Sequence, residues 1–165
     1  MPRRPREECE SQIYHVVQRG VGQQMIFEDD DDRRFFLELL RKHLCDGSPS
    51  SLLAWCLMPN HAHLLIHREL SALSKAMKLI GVSHARYLND RCNRAGHLSQ
   101  DRFAGEPIKG GSQLMSTIRY MHNNPVKANA ANVDESASRF ANLSAISKAA
   151  FLWSGQRWTA SSTIS

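Results

Sequence analysis

His61 and His63 stand two residues apart in the run His61-Ala62-His63-Leu64-Leu65-Ile66-His67. In a β-strand such residues project to the same face, with backbones about 7 Å apart. Two imidazoles so placed can converge on one cation with bonds of about 2 Å. Pro59-Asn60 immediately before them is a turn signal, which sets the pair at a sheet rim that a substrate can reach. Two histidines leave a coordination shell incomplete, so the pair alone is a weak signal, and two solvent-facing histidines explain it as well. His67 shares their face but lies four residues on, and it reads as structural.

A second group of reactive types lies near Ser112 to Asn124, where Ser112 can cap a helix that Pro125 ends. Positions i and i+4 share one side of a helix, which stacks Tyr120 above Asn124. Leu114, Ile118 and Met121 form the neighbouring apolar stripe that would hold this helix against a sheet. A tyrosine can serve as a covalent nucleophile once activated, and a hard-cation site accepts a carboxamide oxygen. The plain alternative for Asn124 is a helix-ending residue before Pro125. His122 falls on another side of the helix, as a surface or DNA-contacting residue.

The rest of the chain must supply a scaffold for these residues. Ile13 to Arg19 is rich in β-formers and stops at Gly20, and Leu52 to Met58 reads as a buried strand returning through His61 to His67. Between them, Glu28-Asp29-Asp30-Asp31-Asp32 precedes a helical pattern over 33–44, with acids at its start as the helix dipole favours. Leu70 to Cys92 is a long helix with Leu73, Met77, Ile80 and Leu88 on one stripe, and a short strand follows near Arg102 to Ile108. The order β-α-β-β-α-β with one further helix predicts an α+β, ferredoxin-like (split βαβ) antiparallel sheet with helices on one face.

Composition excludes several classes. The 165 residues, 42% hydrophobic and 22% charged, suit one globular domain rather than a disordered chain. The longest apolar run, Leu52 to Met58, has seven residues, against about 20 for a spanning helix. No apolar stretch follows Met1-Pro2-Arg3-Arg4, so a soluble, cytoplasmic chain is expected. Cys9, Cys45, Cys56 and Cys92 include no C-x-x-C pair and read as reduced thiols. No phosphate-cradling glycine motif is present, since Gly20-Val21-Gly22 lacks a third glycine, so no nucleotide cofactor is expected. Arg68 to Lys127 holds ten bases and four acids, a surplus of six positive charges. Such a stretch draws polyanions with salt-dependent affinity, although a solvated helix surface would look similar. Residues 128–165 contain nine Ala and eight Ser, which divides the chain into a domain over 1–128 and a variable tail over 129–165.

Leu57-Met58-Pro59-Asn60-His61-Ala62-His63-Leu64-Leu65-Ile66 resembles the L-M-P-N-H-x-H-L-L signature of single-tyrosine His-hydrophobic-His (HUH) transposases, in particular the REP-associated tyrosine transposases. Tyr14-His15-Val16 with Arg19-Gly20, Gly96-His97-Leu98 with Gln100 and Arg102-Phe103, and Arg119-Tyr120-Met121-His122-Asn123-Asn124-Pro125-Val126 fit the same family, so the likeness covers about residues 12–128. After Val126 the chain departs from it, with Trp153-Ser154-Gly155 as the nearest echo of a W-S-S segment.

The resemblance implies a divalent cation (Mg²⁺ or Mn²⁺) held by His61, His63 and Asn124, and Tyr120 as the nucleophile that cuts single-stranded DNA. It implies a 5′-phosphotyrosine intermediate and rejoining of the strand, at hairpin-forming sequences, by a monomer or homodimer. Together with the basic stretch it marks Arg19, Arg86, Arg91, Arg94, Gln100, Arg102, Arg119, His122 and Lys127 as DNA-contacting. Two other readings compete with it. One is a transposase-derived DNA-binding protein that no longer cuts. The other is an RNA-recognition domain, which shares the strand order but needs aromatics on the open sheet face, where this chain offers histidines.

Overall fold

The structure is a computed structural model that describes residues 7–45, 51–99 and 103–127. Its elements are β1 (Ile13–Arg19), a 3-10 turn (Val21–Gln23), α1 (Asp30–Leu40) continued by a π turn (Arg41–Cys45), β2 (Ser51–Met58), β3 (His61–His67), α2 (Leu70–Cys92), β4 (Ala104–Pro107) and α3 (Gly111–Lys127). The strands form one antiparallel sheet in the order β2-β3-β1-β4. This is the expected split βαβ topology.

Alternation along the strands sorts the side chains into two layers. Tyr14 and Val16 of β1, Leu57 of β2, and Ala62, Leu64 and Ile66 of β3 face α1 and α2. There they pack with Phe36, Leu40, Leu73, Met77, Ile80 and Leu88. The other parity, Ile13, Ala54, Cys56, Met58 and Leu65, packs with Leu114, Ile118 and Met121 of α3. Fully burying one such side chain contributes about 1.5–3 kcal/mol, so neither layer is incidental.

The second layer corrects one expectation. The helices do not all lie on one face, because α3 covers the face opposite α1 and α2. Around β2 both strand parities are apolar, so both faces need a cover. A second correction concerns α3, which runs past Pro125 to Lys127 rather than stopping at Asn124. Proline removes one amide donor, and at the end of a helix the backbone continues without that bond.

The acidic run starts α1 as expected. The Asp29 carboxylate accepts from the amides of Asp31 and Asp32, and Asp32 reaches back to the Asp29 amide in a reciprocal cap. The same acids also fasten α2. Arg91 pairs with Asp29 and the buried Asp32, and Arg94 pairs with Glu28. The Arg91 guanidinium is the main cause holding the Asp29 carboxyl well below its ordinary range.

His84 of α2 is fully buried between the Phe27 and Phe36 rings, and among the described residues neither of its ring nitrogens has a hydrogen-bond partner. Burial lowers its pKa from 6.5 to about 4, against a smaller opposing pull from Asp32. The unfolded chain therefore takes up this proton near pH 6.5 and the folded chain only near pH 4. The contribution of neutral His84 is complete above about pH 6.5 and is lost as the pH falls towards 4. At pH 5 the loss is on the order of 2 kcal/mol. His84→Leu should match or exceed wild-type stability at pH 7.5 and lose less on going to pH 5, as measured by urea unfolding at both values. An unchanged pH dependence would contradict this account.

Candidate active site

The turn at Pro59-Asn60 carries the histidine pair, and a loop from the end of β1 braces it. The Gly20 amide donates to the Asn60 carbonyl at 3.0 Å, and the amides of Ile26 and Phe27 donate to the Pro59 carbonyl at 2.7 and 3.0 Å. Gly20 suits this crossing because a Cβ there would lie 2.2 Å from the Gln24 carbonyl oxygen. The turn is thus held by backbone bonds that do not depend on the histidines.

Register then decides which groups meet. In the β1–β3 ladder Arg19 pairs with His61 and Val17 with His63, which places Arg19 and His15 on the histidine face. His61 and His63 stand edge to face with ring centroids 4.8 Å apart. His15 stacks on His63 at 5.2 Å, with its Nε2 at 3.0 Å from His63 Nδ1. Asn60 Oδ1 lies 2.6 Å from His61 Nδ1. Both histidines therefore use Nδ1 for a hydrogen bond, while His63 Nε2 is buried with no partner among the described residues.

Tyr120 reaches the same group from α3. Its ring lies 5.5 Å from His63 and 6.5 Å from His15, edge to face with each. The other two tyrosines are elsewhere. Tyr14 is buried in the α1/α2 layer with its hydroxyl accepting from the Cys9 amide, and Tyr87 stacks on Phe35 at 4.0 Å. Tyr120 alone among the three is both on the histidine face and open, at 46% exposure.

The electrostatics keep the imidazoles neutral. Burial lowers the His61 pKa, with a smaller contribution from the Arg19 charge. Burial pushes His63 down to about 3, assisted by His61, His15 and Arg19. His15 is also lowered by burial, against the charge of Glu106, its partner across the β1–β4 ladder. A depressed pKa keeps a nitrogen lone pair available at neutral pH. Two neutral imidazoles, one with an orphaned buried Nε2, suit a divalent cation as part of its shell. Among the described residues no three His, Cys, Asp or Glu side chains are grouped to hold a metal.

The structure brings His61, His63, Tyr120 and Arg19 together, and it places exposed Arg119 next to Tyr120 on α3. The backbones of Asn124, His122 and Lys127 lie on α3, but their side chains are outside the described residues, as are Gln100 and Arg102 altogether. Arg86, Arg91 and Arg94 belong to α2 and its end, across the sheet from the histidines, with Arg91 and Arg94 engaged by the α1 acids. Sequence reasoning gave His15 no role and Asn60 only a turn-forming one. The parity of β1 already sets His15 on the side of Arg19, but its pairing with a residue 48 positions away has no local signal. A cleft of about 630 Å³ lined by Cys9, Ser11, Ile13, His67 and Lys109 lies at the opposite end of the strands.

The model of the family described as Transposase IS200 like matches residues 8–124. The chain belongs to this family. A search of the curated proteins returns no match. Among solved structures, this IS200-like transposase is similar to a REP-associated tyrosine transposase bound to a REP hairpin. The likeness has a TM-score of 0.54 at 16% identity and covers 78% of this chain and 74% of that one. It establishes a shared fold. A candidate transposase of Deinococcus radiodurans R1 aligns at a TM-score of 0.44 and 15% identity, over 73% of this chain and 98% of that one. No helix among the described residues is long and apolar enough to cross a membrane.

The depressed His63 pKa has a direct test. With a pKa of about 3, the ring stays neutral throughout the range where an ordinary histidine titrates, near 6.5. Its ring-proton NMR resonances in the metal-free protein should show no titration between pH 8 and pH 5. A midpoint near 6.5 would contradict the burial assigned to it.

Proposed function

We propose that this IS200-like transposase is a metal-dependent enzyme that cleaves and rejoins single-stranded DNA through a 5′-phosphotyrosine at Tyr120, acting in the cytoplasm at hairpin-forming sequences. The observation that carries the reading is the convergence of Tyr120 with His61 and His63 on one sheet face, open at the tyrosine. The hairpin held by the structurally similar REP-associated transposase supports the choice of DNA.

His61 and His63 would hold Mg²⁺ or Mn²⁺, and Asn124, four residues after Tyr120 on α3, would supply a third, carboxamide ligand. Held by these residues, such a cation would supply Lewis-acid polarisation of a phosphoryl oxygen and offset charge on the transferring phosphate. The Tyr120 hydroxyl attacks the phosphorus, passing its proton to the solvent it already meets. A phosphotyrosine bond forms, the bond from phosphorus to the 3′ oxygen breaks, and that oxygen leaves with a proton from water. The phosphodiester is exchanged for another ester, so attack by a 3′ hydroxyl can rejoin the strand without a nucleotide cofactor. Arg19, paired with His61 across the β1–β3 ladder, and exposed Arg119 would meet phosphates flanking the cut.

The test is to incubate the full chain with Mn²⁺ and end-labelled single-stranded DNA carrying a hairpin, then look for an adduct that survives denaturing electrophoresis. Tyr120→Phe should abolish the adduct while changing stability by less than about 1 kcal/mol, since the side chain is half exposed. Asn124→Ala should retain some adduct but need more Mn²⁺ to reach it. An undiminished adduct from Tyr120→Phe would overturn the proposal.

A further inference from the structure

We infer that His15 and Asn60 are positioning residues that set the tautomers of His63 and His61, so that both rings present Nε2 rather than Nδ1. The inference rests on the metal-binding reading of the histidine pair, although its main observable belongs to the metal-free protein.

A neutral imidazole carries one N–H and one bare nitrogen. The 3.0 Å contact between His15 Nε2 and His63 Nδ1 therefore needs one ring to donate and the other to accept. If His15 donated, the His63 proton would sit on Nε2, which is buried. Nε2 lacks a partner among the described residues in either tautomer, but with the proton there the ring would have no lone pair for a cation. If His63 donates from Nδ1, its Nε2 keeps a lone pair that a cation can use. Glu106 favours the second arrangement. It stands opposite His15 in the β1–β4 ladder, and its negative charge makes the His15 ring a better acceptor.

Asn60 does the same for His61 by a simpler route. Its Oδ1, at 2.6 Å from His61 Nδ1, can only accept, which puts the His61 proton on Nδ1. The Asn60 backbone is itself fixed, because its carbonyl accepts from the Gly20 amide. Each histidine thus has one partner behind it, one from within β1 and the other from the turn between β2 and β3. Such groups behind a ligating imidazole typically change metal affinity by about 10–100-fold when removed. His15 cannot serve as a ligand through Nε2 while that atom holds His63, so its role is to orient another side chain.

The experiment uses the full chain with ¹⁵N-labelled histidine and reads the imidazole nitrogen shifts without metal, then Mn²⁺ binding by electron paramagnetic resonance. In the wild type His63 should be protonated on Nδ1 and bare on Nε2. His15→Phe keeps the stacked ring but removes the acceptor; it should shift His63 towards the Nε2-protonated form and weaken Mn²⁺ binding about 10–100-fold. His15→Gln, whose side-chain oxygen can accept, should restore most of both effects. Melting curves show whether the variants fold, and if His15→Phe does not, the wild-type and His15→Gln spectra decide. A wild-type His63 protonated on Nε2 would overturn the inference, as would His15→Phe with wild-type tautomer and affinity. A correct tautomer with no Mn²⁺ bound to the wild type would support this assignment while removing the metal reading of the site.

Discussion

Side chains alternate across a β-strand, and β3 depends on that alternation for both its stability and its chemistry. Ala62, Leu64 and Ile66 are sealed under α1 and α2, while His61, His63 and Leu65 face the other way. A slip of one residue would drive two imidazoles into the layer built on Phe36 and Leu40 and expose the aliphatics in their place. The register is therefore strongly specified, and with it the pairing of Arg19 with His61. The bonds from Gly20, Ile26 and Phe27 to the Pro59-Asn60 turn fix the same register from the loop side.

The same burial that stabilises the sheet sets the state of the histidines. Desolvation disfavours the imidazolium, and the His61 and His15 rings further disfavour charge on His63. The outcome is a compact neutral patch beside one arginine, bounded by α3. α3 is held by Leu114, Ile118 and Met121, which continue the second apolar layer, so the packing that closes this face also delivers Tyr120 to the histidines. On the far face the acids before α1 lock Arg91 and Arg94 at the end of α2. There the positive charge counted along the sequence is partly spent on tertiary structure, and the positive charge beside His61 and His63 comes from Arg19.

Much of this was legible in the sequence because the signals are local. The strands at Ile13–Arg19 and His61–His67, the helix at Leu70–Cys92 and the spacing of His61, His63 and Tyr120 all follow from periodicity or motif. What escaped sequence reasoning depends on long-range pairing. The hydrogen bond of His15 to His63, the capture of Arg91 by Asp29 and Asp32, and the placement of α3 opposite the other two helices arise only once strands are ordered and faces assigned. Pro125 misled for another reason, since a proline rule that holds for a helix interior is weak in its final turn.

The central claim is that the sheet face shared by His61, His63 and Tyr120 is where a DNA strand becomes bonded to the protein. Its most direct test is to trap the reaction of the full chain with hairpin-bearing single-stranded DNA and Mn²⁺, digest both components and locate the linkage by mass spectrometry. The account predicts a 5′-phosphonucleotide on the peptide containing Tyr120, joined at the phenolic oxygen. A linkage at Tyr14, Tyr87 or any non-tyrosine residue would contradict it.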